Sequence, residues 1–475
     1  MSHGRSQRPQ QDCDEGDRFE MKALLKPSWQ AAVKQSKIED DNSWKPLPKQ
    51  VWLLSWVSFF ADVSSEMIYP LLPLYVISVL GTSKMQLGAM EGGAVLIVAM
   101  MSAYAGIRSD RNGSHGGRIP WIRWGYGLPV LGKALIAIST TWPLIVGGRL
   151  LDRFGKGLRG APRDALIASA VSKDQRGQAF GLHRAFDTAG ALVGVLLSAF
   201  LLWWLTGAPQ ITNATIESAV ALETPAWVYR AIFAVGAVLG LASLALTFLV
   251  RESEATADGE IKSPVPDALI VEKQIEPNHR SGHRKLPASY WYVLGILVLF
   301  SLANSSDTFL LLRAQEMGFS PWMVVMAYAA YNLTYSALAY PAGALSDRIG
   351  RWRIIVVGWL IYAGVYTGFA ILPVSQAWGV WPLMIVYGIY MALTEGTGKA
   401  LIADHAPQDS RGMALGIFYG LTGLTTFVSS MLTGYLWDRF GATPAFLSGG
   451  IFALLACLAI SVFRPALVSK RKLGI

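Results

Sequence analysis

Seven charged side chains crowd one short run: Arg149, Asp152, Arg153, Lys156, Arg159, Arg163 and Asp164. On a helical wheel at about 100° per residue they fall within roughly 140° of one another. Leu150, Leu151, Phe154, Leu158, Ala161 and Ala165 take the opposite face. The run sits in apolar surroundings that read as membrane. A charge at mid-bilayer costs roughly 2.5–3.5 kcal/mol, so Arg149, Asp152, Arg153 and Lys156 facing lipid would cost on the order of 10 kcal/mol. Their face must meet protein or a water-filled cavity. The chemistry this suggests is passage of a polar or ionic solute. The plainer reading is a salt-bridge ladder, with Asp152 paired to Arg149 at i−3 and to Lys156 at i+4. Five bases stand against two acids in the run, so the surplus needs a partner elsewhere, in the protein or in a substrate.

A second stripe is acidic. Ser55, Ser58, Asp62, Ser65, Glu66 and Tyr69 share one helical face. Asp62 and Glu66 are the preferred proton-coupling groups, because a carboxylate in a dry site loads and releases a proton as its surroundings change. The rival reading is a permanent salt bridge to the basic run. Glu91 is a further coupling candidate. Asp307 and Glu395 are weaker, being off the polar faces drawn for their helices. His183 and Asp187, at i and i+4, read either as a proton relay or as a structural hydrogen bond. No catalytic constellation, cofactor motif or Cys/His metal cluster stands out, so an enzyme is not expected. Cys13 and Cys457 are too differently placed to pair.

The elements that hold these groups are apolar spans. The chain has 475 residues, 52% hydrophobic and 15% charged, against about a quarter charged in soluble proteins. Apolar segments long enough to span a bilayer recur. They are expected near 51–79, 85–107, 120–140, around the basic run, 177–204, 226–250, 290–313, 321–345, 353–373, 380–404, 412–436 and 443–464. Residues 62–66, Pro70 and Pro73 should interrupt the first. Residues 1–48 read as a disordered tail, 49–250 and 289–465 as two six-helix halves, 251–288 as a linker, and 466–475 as a second tail. A net charge of +9 does not imply nucleic acid here. Arg108, Arg111, Arg118, Lys173, Arg176, Arg280, Arg284, Lys285, Arg348, Arg351, Arg353 and Arg411 fall in alternate loops, which puts both ends in the cytoplasm. Lys84, Arg313 and Arg439 are exceptions. A multi-pass protein of the inner or plasma membrane is expected, monomeric, with lipid and a small-molecule or ionic substrate as its partners.

The halves repeat. Asp164-Ala-Leu-Ile-Ala168 matches Lys399-Ala-Leu-Ile-Ala403, and Arg176-Gly177 matches Arg411-Gly412, each 235 positions on. Asp110-Arg111 matches Asp347-Arg348 at 237. The segment Gly343-Ala-Leu-Ser-Asp347-Arg348-Ile-Gly350-Arg351-Trp-Arg353 resembles the loop motif of the major facilitator superfamily. The first-half copy departs from it, with Ser-His-Gly-Gly between Gly113 and Arg118. The run from Gly155 to Ala168 is similar to that of a bacterial permease subgroup. The resemblance covers about 51–463. It implies an all-α membrane fold of twelve helices in two halves, alternating access, and a site lined by helices one, four, seven and ten. On that basis Arg149, Asp152, Arg153, Lys156, Arg159, Tyr69, Asn304 and Glu395 are substrate-cavity candidates. Asp110, Arg111, Arg163, Asp347, Arg348 and Arg351 are cytoplasmic gate candidates, with Gly106 and Gly343 letting helices approach. A proton-coupled secondary transporter follows, with efflux favoured from the resemblance alone. A sensor on a transporter fold and a facilitative uniporter are the alternatives.

Overall fold

The computed structural model describes residues 1, 46–111, 117–172, 175–207, 224–251, 286–407 and 411–472. Side-chain surroundings are described for all of these except 107, 110, 111, 177, 411, 412 and 462–472. The expected tail and linker therefore lie almost wholly outside the described residues, as do Cys13 and the side chains of Asp110 and Arg111. Pro48–Ile475 forms one compact unit.

That unit is built of helices, with no strand among the described residues. They are α1 (Lys49–Ile68), α2 (Leu72–Leu74), α3 (Lys84–Arg111), α4 (Ile119–Ile138), α5 (Trp142–Ser169), α6 (Arg176–Thr206) and α7 (Ala226–Thr247). After the linker come α8 (Ala288–Ser301), α9 (Thr308–Glu316), α10 (Pro321–Ile349), α11 (Arg351–Ile371), α12 (Val380–His405), α13 (Arg411–Phe440) and α14 (Ala442–Lys472). Among the described residues, eight helical stretches are long and apolar enough to cross a membrane. The charged α5 is not among them, although 28 residues give it the length.

The packing follows one scheme twice. In the first half α1 lies against α6 and α7, α4 against α5 and α7, and α3 against α5. In the second, α8 lies against α13 and α14, α11 against α12 and α14, and α10 against α12. The halves meet along α3 with α13 and α6 with α10. These two seams exchange if the halves are swapped, as a two-fold pseudosymmetry requires.

The first span breaks at Pro70, one of the places expected, but not at 62–66, and a later span breaks where no break was expected. Asp62–Glu66 lie inside regular α1, and the interruption comes after Ile68, continuing into a π-helical turn at Tyr75–Val79. Pro70 cannot donate the hydrogen bond that would carry α1 on. The expected continuous span 290–313 is two helices, with residues 302–307 non-helical between α8 and α9. The expected close approach at Gly343 is also absent, with nothing within 4 Å of a Cβ built there, while Gly106 has ordinary contact with Ala161 at 3.4 Å. One tight crossing lies between α4 and α5. A Cβ on Gly132 would stand 2.4 Å from the Gly148 carbonyl oxygen, and one on Gly148 would stand 2.6 Å from that of Gly132. Two bare backbones in contact bring whatever flanks them into reach.

Candidate functional site

What flanks that crossing is charge. Lys133, one residue past Gly132, reaches across from α4. Its ammonium donates to Ser64 Oγ at 2.8 Å and Ser65 Oγ at 2.9 Å on α1, and lies 3.8 Å from Asp152 Oδ1 on α5. Asp152 also meets Arg149 at 3.8 Å and Arg153 at 3.4 Å. Arg149 turns its guanidinium fork to Glu91 of α3, with Nε to Oε1 at 2.9 Å and Nη2 to Oε2 at 2.7 Å. Lys133, Glu91, Arg149 and Asp152 are each 3% exposed. Charges so buried persist when paired and hydrogen-bonded. This cluster joins four helices. Half of the ladder in the plainer reading is present: Asp152 meets Arg149, but Lys156 makes no ion pair within 4.0 Å among the described residues.

The next turns of α5 face α1, α4 and α6. Arg159 lies 3.9 Å from Asp62 Oδ1 and stacks on the Tyr126 ring at 4.3 Å. Arg163 pairs with its neighbour Asp164 at 2.9 Å and donates from Nη1 to Ser58 Oγ at 3.0 Å. Ser58 also lies 3.0 Å from His183 Nε2 and 3.0 Å from the Tyr126 hydroxyl. The basic and acidic stripes thus stand against one another at a single site. Tyr69, just past the end of α1, lies under Arg149 and Arg153 at 5.4 and 6.0 Å.

The second half answers with aromatics. Asp307 sits in the break between α8 and α9, where a helical wheel has no meaning, and accepts from Tyr387 at 2.6 Å and Tyr331 at 3.3 Å. Asn304 accepts from Tyr390 at 3.4 Å. Glu395 accepts from Tyr335 at 2.5 Å and from Lys399 at 2.9 Å. The sequence reading passed over this tyrosine group because its rings come from two helices, Tyr331 and Tyr335 at i, i+4 on α10 and Tyr387 and Tyr390 at i, i+3 on α12, and their acceptors lie elsewhere. Bonds also join the halves here: the Tyr328 hydroxyl donates to Glu66 Oε2 at 2.9 Å, Arg184 Nη2 donates to the Tyr335 hydroxyl at 3.2 Å, and the Tyr328 ring lies 5.4 Å from Tyr69.

Among the described residues, the gate candidates of the second half make their ion pairs within that half, and the side chains of Asp110 and Arg111 lie outside the description. Arg351 pairs with Asp347 at 3.4 Å and with Asp404 of α12 at 3.1 Å, all within the second half, and Arg348 is exposed. A set of cross-half contacts that the sequence did not reveal lies at the opposite end. Lys84 pairs with Glu316 at 3.2 Å, a carboxylate that Trp437 Nε1 also holds, at 3.2 Å, from within the second half. Asp438 accepts from the backbone of Lys84 and Met85 at 3.0 and 2.9 Å, at the first turn of α3, where the helix dipole favours a carboxylate. Gln315 donates to Ser78 Oγ at 2.9 Å.

Away from that closed end lies a cavity of about 380 Å³. Its walls include Asp62 and Glu66 from α1, Lys156, Arg159 and Arg163 from α5, Arg184 and Asp187 from α6, and Asn332 and Tyr335 from α10. It is charged on the first-half side and polar to aromatic on the other. Among the described residues no group of three or more His, Cys, Asp or Glu could hold a metal ion.

Comparison with known proteins agrees with this architecture. The profile of the Major Facilitator Superfamily matches residues 54–420. An uncharacterized MFS-type transporter of Methanocaldococcus jannaschii is 32% identical over 422 residues, covering 88% of this chain and 95% of its own. A multi-drug resistance efflux pump PmrA homolog of Lactococcus lactis is 25% identical over 404 residues, covering 82% and 90%. The crystal structure of the nucleoside transporter NupG superposes with a TM-score of 0.63 at 13% identity, over 87% of this chain and 99% of that one; this likeness speaks for the fold alone. The protein is thus a multi-pass membrane secondary transporter and not an enzyme, and it belongs to the Major Facilitator Superfamily.

Proposed function

We propose that the protein moves a small polar or ionic solute by proton-coupled alternating access through the cavity between α1, α5, α6 and α10. The observation that carries this reading is Lys156, an unpaired cation on the same cavity wall as the carboxylates of Asp62 and Glu66. A cation left without an ion-pair partner among the described residues, facing two acids, is poised to trade them for an anionic group of a substrate. Glu66 links that exchange to conformation through its bond to Tyr328. An ionised Glu66 accepts a charge-assisted hydrogen bond across the halves, which is about twice as strong as a neutral one. Protonation weakens the bond and eases their separation.

Twelve spans, with both ends on the cytoplasmic side of an inner or plasma membrane, fit the loop arginines and the repeated packing scheme. A monomer suffices for this mechanism. Efflux is the direction we favour, supported by the likeness to a relative described as a multi-drug resistance efflux pump. The sensor and uniporter readings differ from this in their outcomes. Purified protein in liposomes should move a labelled compound, chosen from a thermal-shift screen of metabolites and drugs, only when a pH gradient is imposed. Asp62→Asn or Glu66→Gln should abolish that driven transport while leaving the protein folded. Lys156→Ala should weaken binding by tenfold or more, about 1.4 kcal/mol. Transport that ignores the gradient would make the protein a uniporter, and binding without transport would make it a sensor.

A further inference from the structure

Asp187 has no part in the scheme above, yet it lines the same cavity as Asp62. Helix α6 is held hard against α1. A Cβ on Gly190 would stand 2.5 Å from the Phe59 carbonyl oxygen, and one on Gly194 would stand 2.5 Å from that of Val63. Asp62 lies between Phe59 and Val63, and Asp187 lies one turn before Gly190, so bare helix contacts press the two acids onto neighbouring parts of one wall.

The polar surroundings of Asp187 are unusual for a carboxylate. Its Oδ1 is buried and has no hydrogen-bond partner among the described residues. Its Oδ2 stands 3.6 Å from His183 Nδ1, beyond hydrogen-bonding range. The imidazole is committed on its other side, with Nε2 at 3.0 Å from Ser58 Oγ. The neighbouring cations are also engaged. Arg163 holds Asp164 and Ser58, Arg159 stacks on Tyr126, and Arg184 of α6 donates to the Tyr335 hydroxyl of α10 at 3.2 Å. Of the other acids on the cavity wall, Glu66 accepts from Tyr328, and Asp62 has only Arg159, at 3.9 Å. Lys156 of α5 is the remaining wall cation. An ionised carboxylate with a buried oxygen and no donor is costly. Asp62 on the same wall is 20% exposed and has only Arg159 as a distant cation, and two acids lining one cavity accommodate one proton between them more readily than two negative charges.

We infer that Asp187 is a second proton-carrying carboxylate of this cavity and shares one proton with Asp62, as a carboxylate pair contributed by α6 and α1. The inference rests on the proton-coupled reading but is separable from it. His183 is then a positioning residue, and Ser58 fixes its ring.

The test needs no substrate. Purified full-length protein in detergent is titrated and the protonated-carboxyl stretching band is followed by infrared difference spectroscopy. Asp62→Asn and Asp187→Asn should each remove part of the band. Each should also shift the midpoint of what remains by about one pH unit or more, and the double variant should remove the shared component. Asp187→Glu should restore the band, whereas His183→Gln should leave its intensity intact. Melting curves identify any variant that fails to fold, and for such a variant Asp187→Glu alone decides, by moving the band or not. A band lost in Asp62→Asn but unmoved in intensity and midpoint by Asp187→Asn would overturn the sharing and leave the proton-coupled reading standing. A band untouched by Asp62→Asn, Glu66→Gln and Asp187→Asn alike would overturn both.

Discussion

Arg149 and Glu91 show how a membrane chain keeps full charges in its interior. The guanidinium fork presents two N–H groups to two carboxylate oxygens at 2.9 and 2.7 Å, a geometry an ammonium cannot copy. The pair secures α3 to α5, and its worth lies in what is lost when only one member goes. Glu91→Leu strands the arginine and should cost about 3–5 kcal/mol, while the double variant Arg149→Met/Glu91→Leu should recover most of it. Urea or thermal unfolding in detergent reads both, and equal losses in single and double variants would show that the pair is not a unit. Glu91 was expected among the proton-coupling groups. Held by two charge-assisted bonds and 3% exposed, it is better suited to structure, and Asp62, Glu66 and Asp187 are the acids that line the cavity. Lys133 was invisible as a candidate because α4 reads as an apolar span with two scattered cations, Arg123 and Lys133. Its partners come from α1 and α5, and no local pattern names them.

At the scale of elements, the α4–α5 crossing decides whether the charged cluster can exist. Gly132 and Gly148 let the two backbones touch, and the side chains one to four residues away then meet within 4 Å. Gly148→Val should wedge the helices apart and cost about 1–3 kcal/mol from overpacking. It should also loosen Lys133 from Asp152. A lowered melting temperature together with faster hydrogen exchange near Asp152 checks this; an unchanged melt would mean the crossing tolerates expansion. The breaks after Ile68 and Ser301 carry a related lesson. Both fall in the first helix of a half, and both place a functional candidate, Tyr69 or Asp307, beside irregular backbone. Freed backbone groups inside a membrane need protein partners, and the Ala303 carbonyl finds one in the Tyr362 hydroxyl at 2.6 Å.

Within Pro48–Ile475, the halves are bonded together at one end, and the cavity lies away from it. The closed end depends on Glu316 and Asp438, which receive bonds from Lys84 and Met85 across the seam, Trp437 holding Glu316 from its own half. The ion pair is partly exposed, so its contribution is about 1 kcal/mol or less. Alternating access works between states separated by small energies, and a change of that size moves a population several-fold. Glu316→Gln/Asp438→Asn should therefore raise the fraction opened at this end about three- to fivefold. Distances between spin labels at the two sides of the seam report it, and an unmoved distribution would remove these contacts from the gate. Arg351→Ala, by contrast, breaks bonds internal to the second half, and should leave that distribution as it was.

Much of this was present in the chain itself. Hydrophobic runs of bilayer length, loop arginines and a repeat at 235 residues determine an all-helical membrane protein of two like halves, because span length, loop charge and periodicity are local properties. The one-sided charge of α5 and α1 was equally legible, since ions in hydrocarbon must turn inward. Which ion meets which was not. Lys156 left Asp152 unpaired to it and lined a cavity, Lys133 took its place, and Asp307 acquired two tyrosines from α10 and α12, because partners on different helices are chosen by the crossing of bare backbones and by where a helix breaks. Only the tertiary structure decided those distances, and charge pairing in a low-dielectric interior is settled at the scale of an ångström.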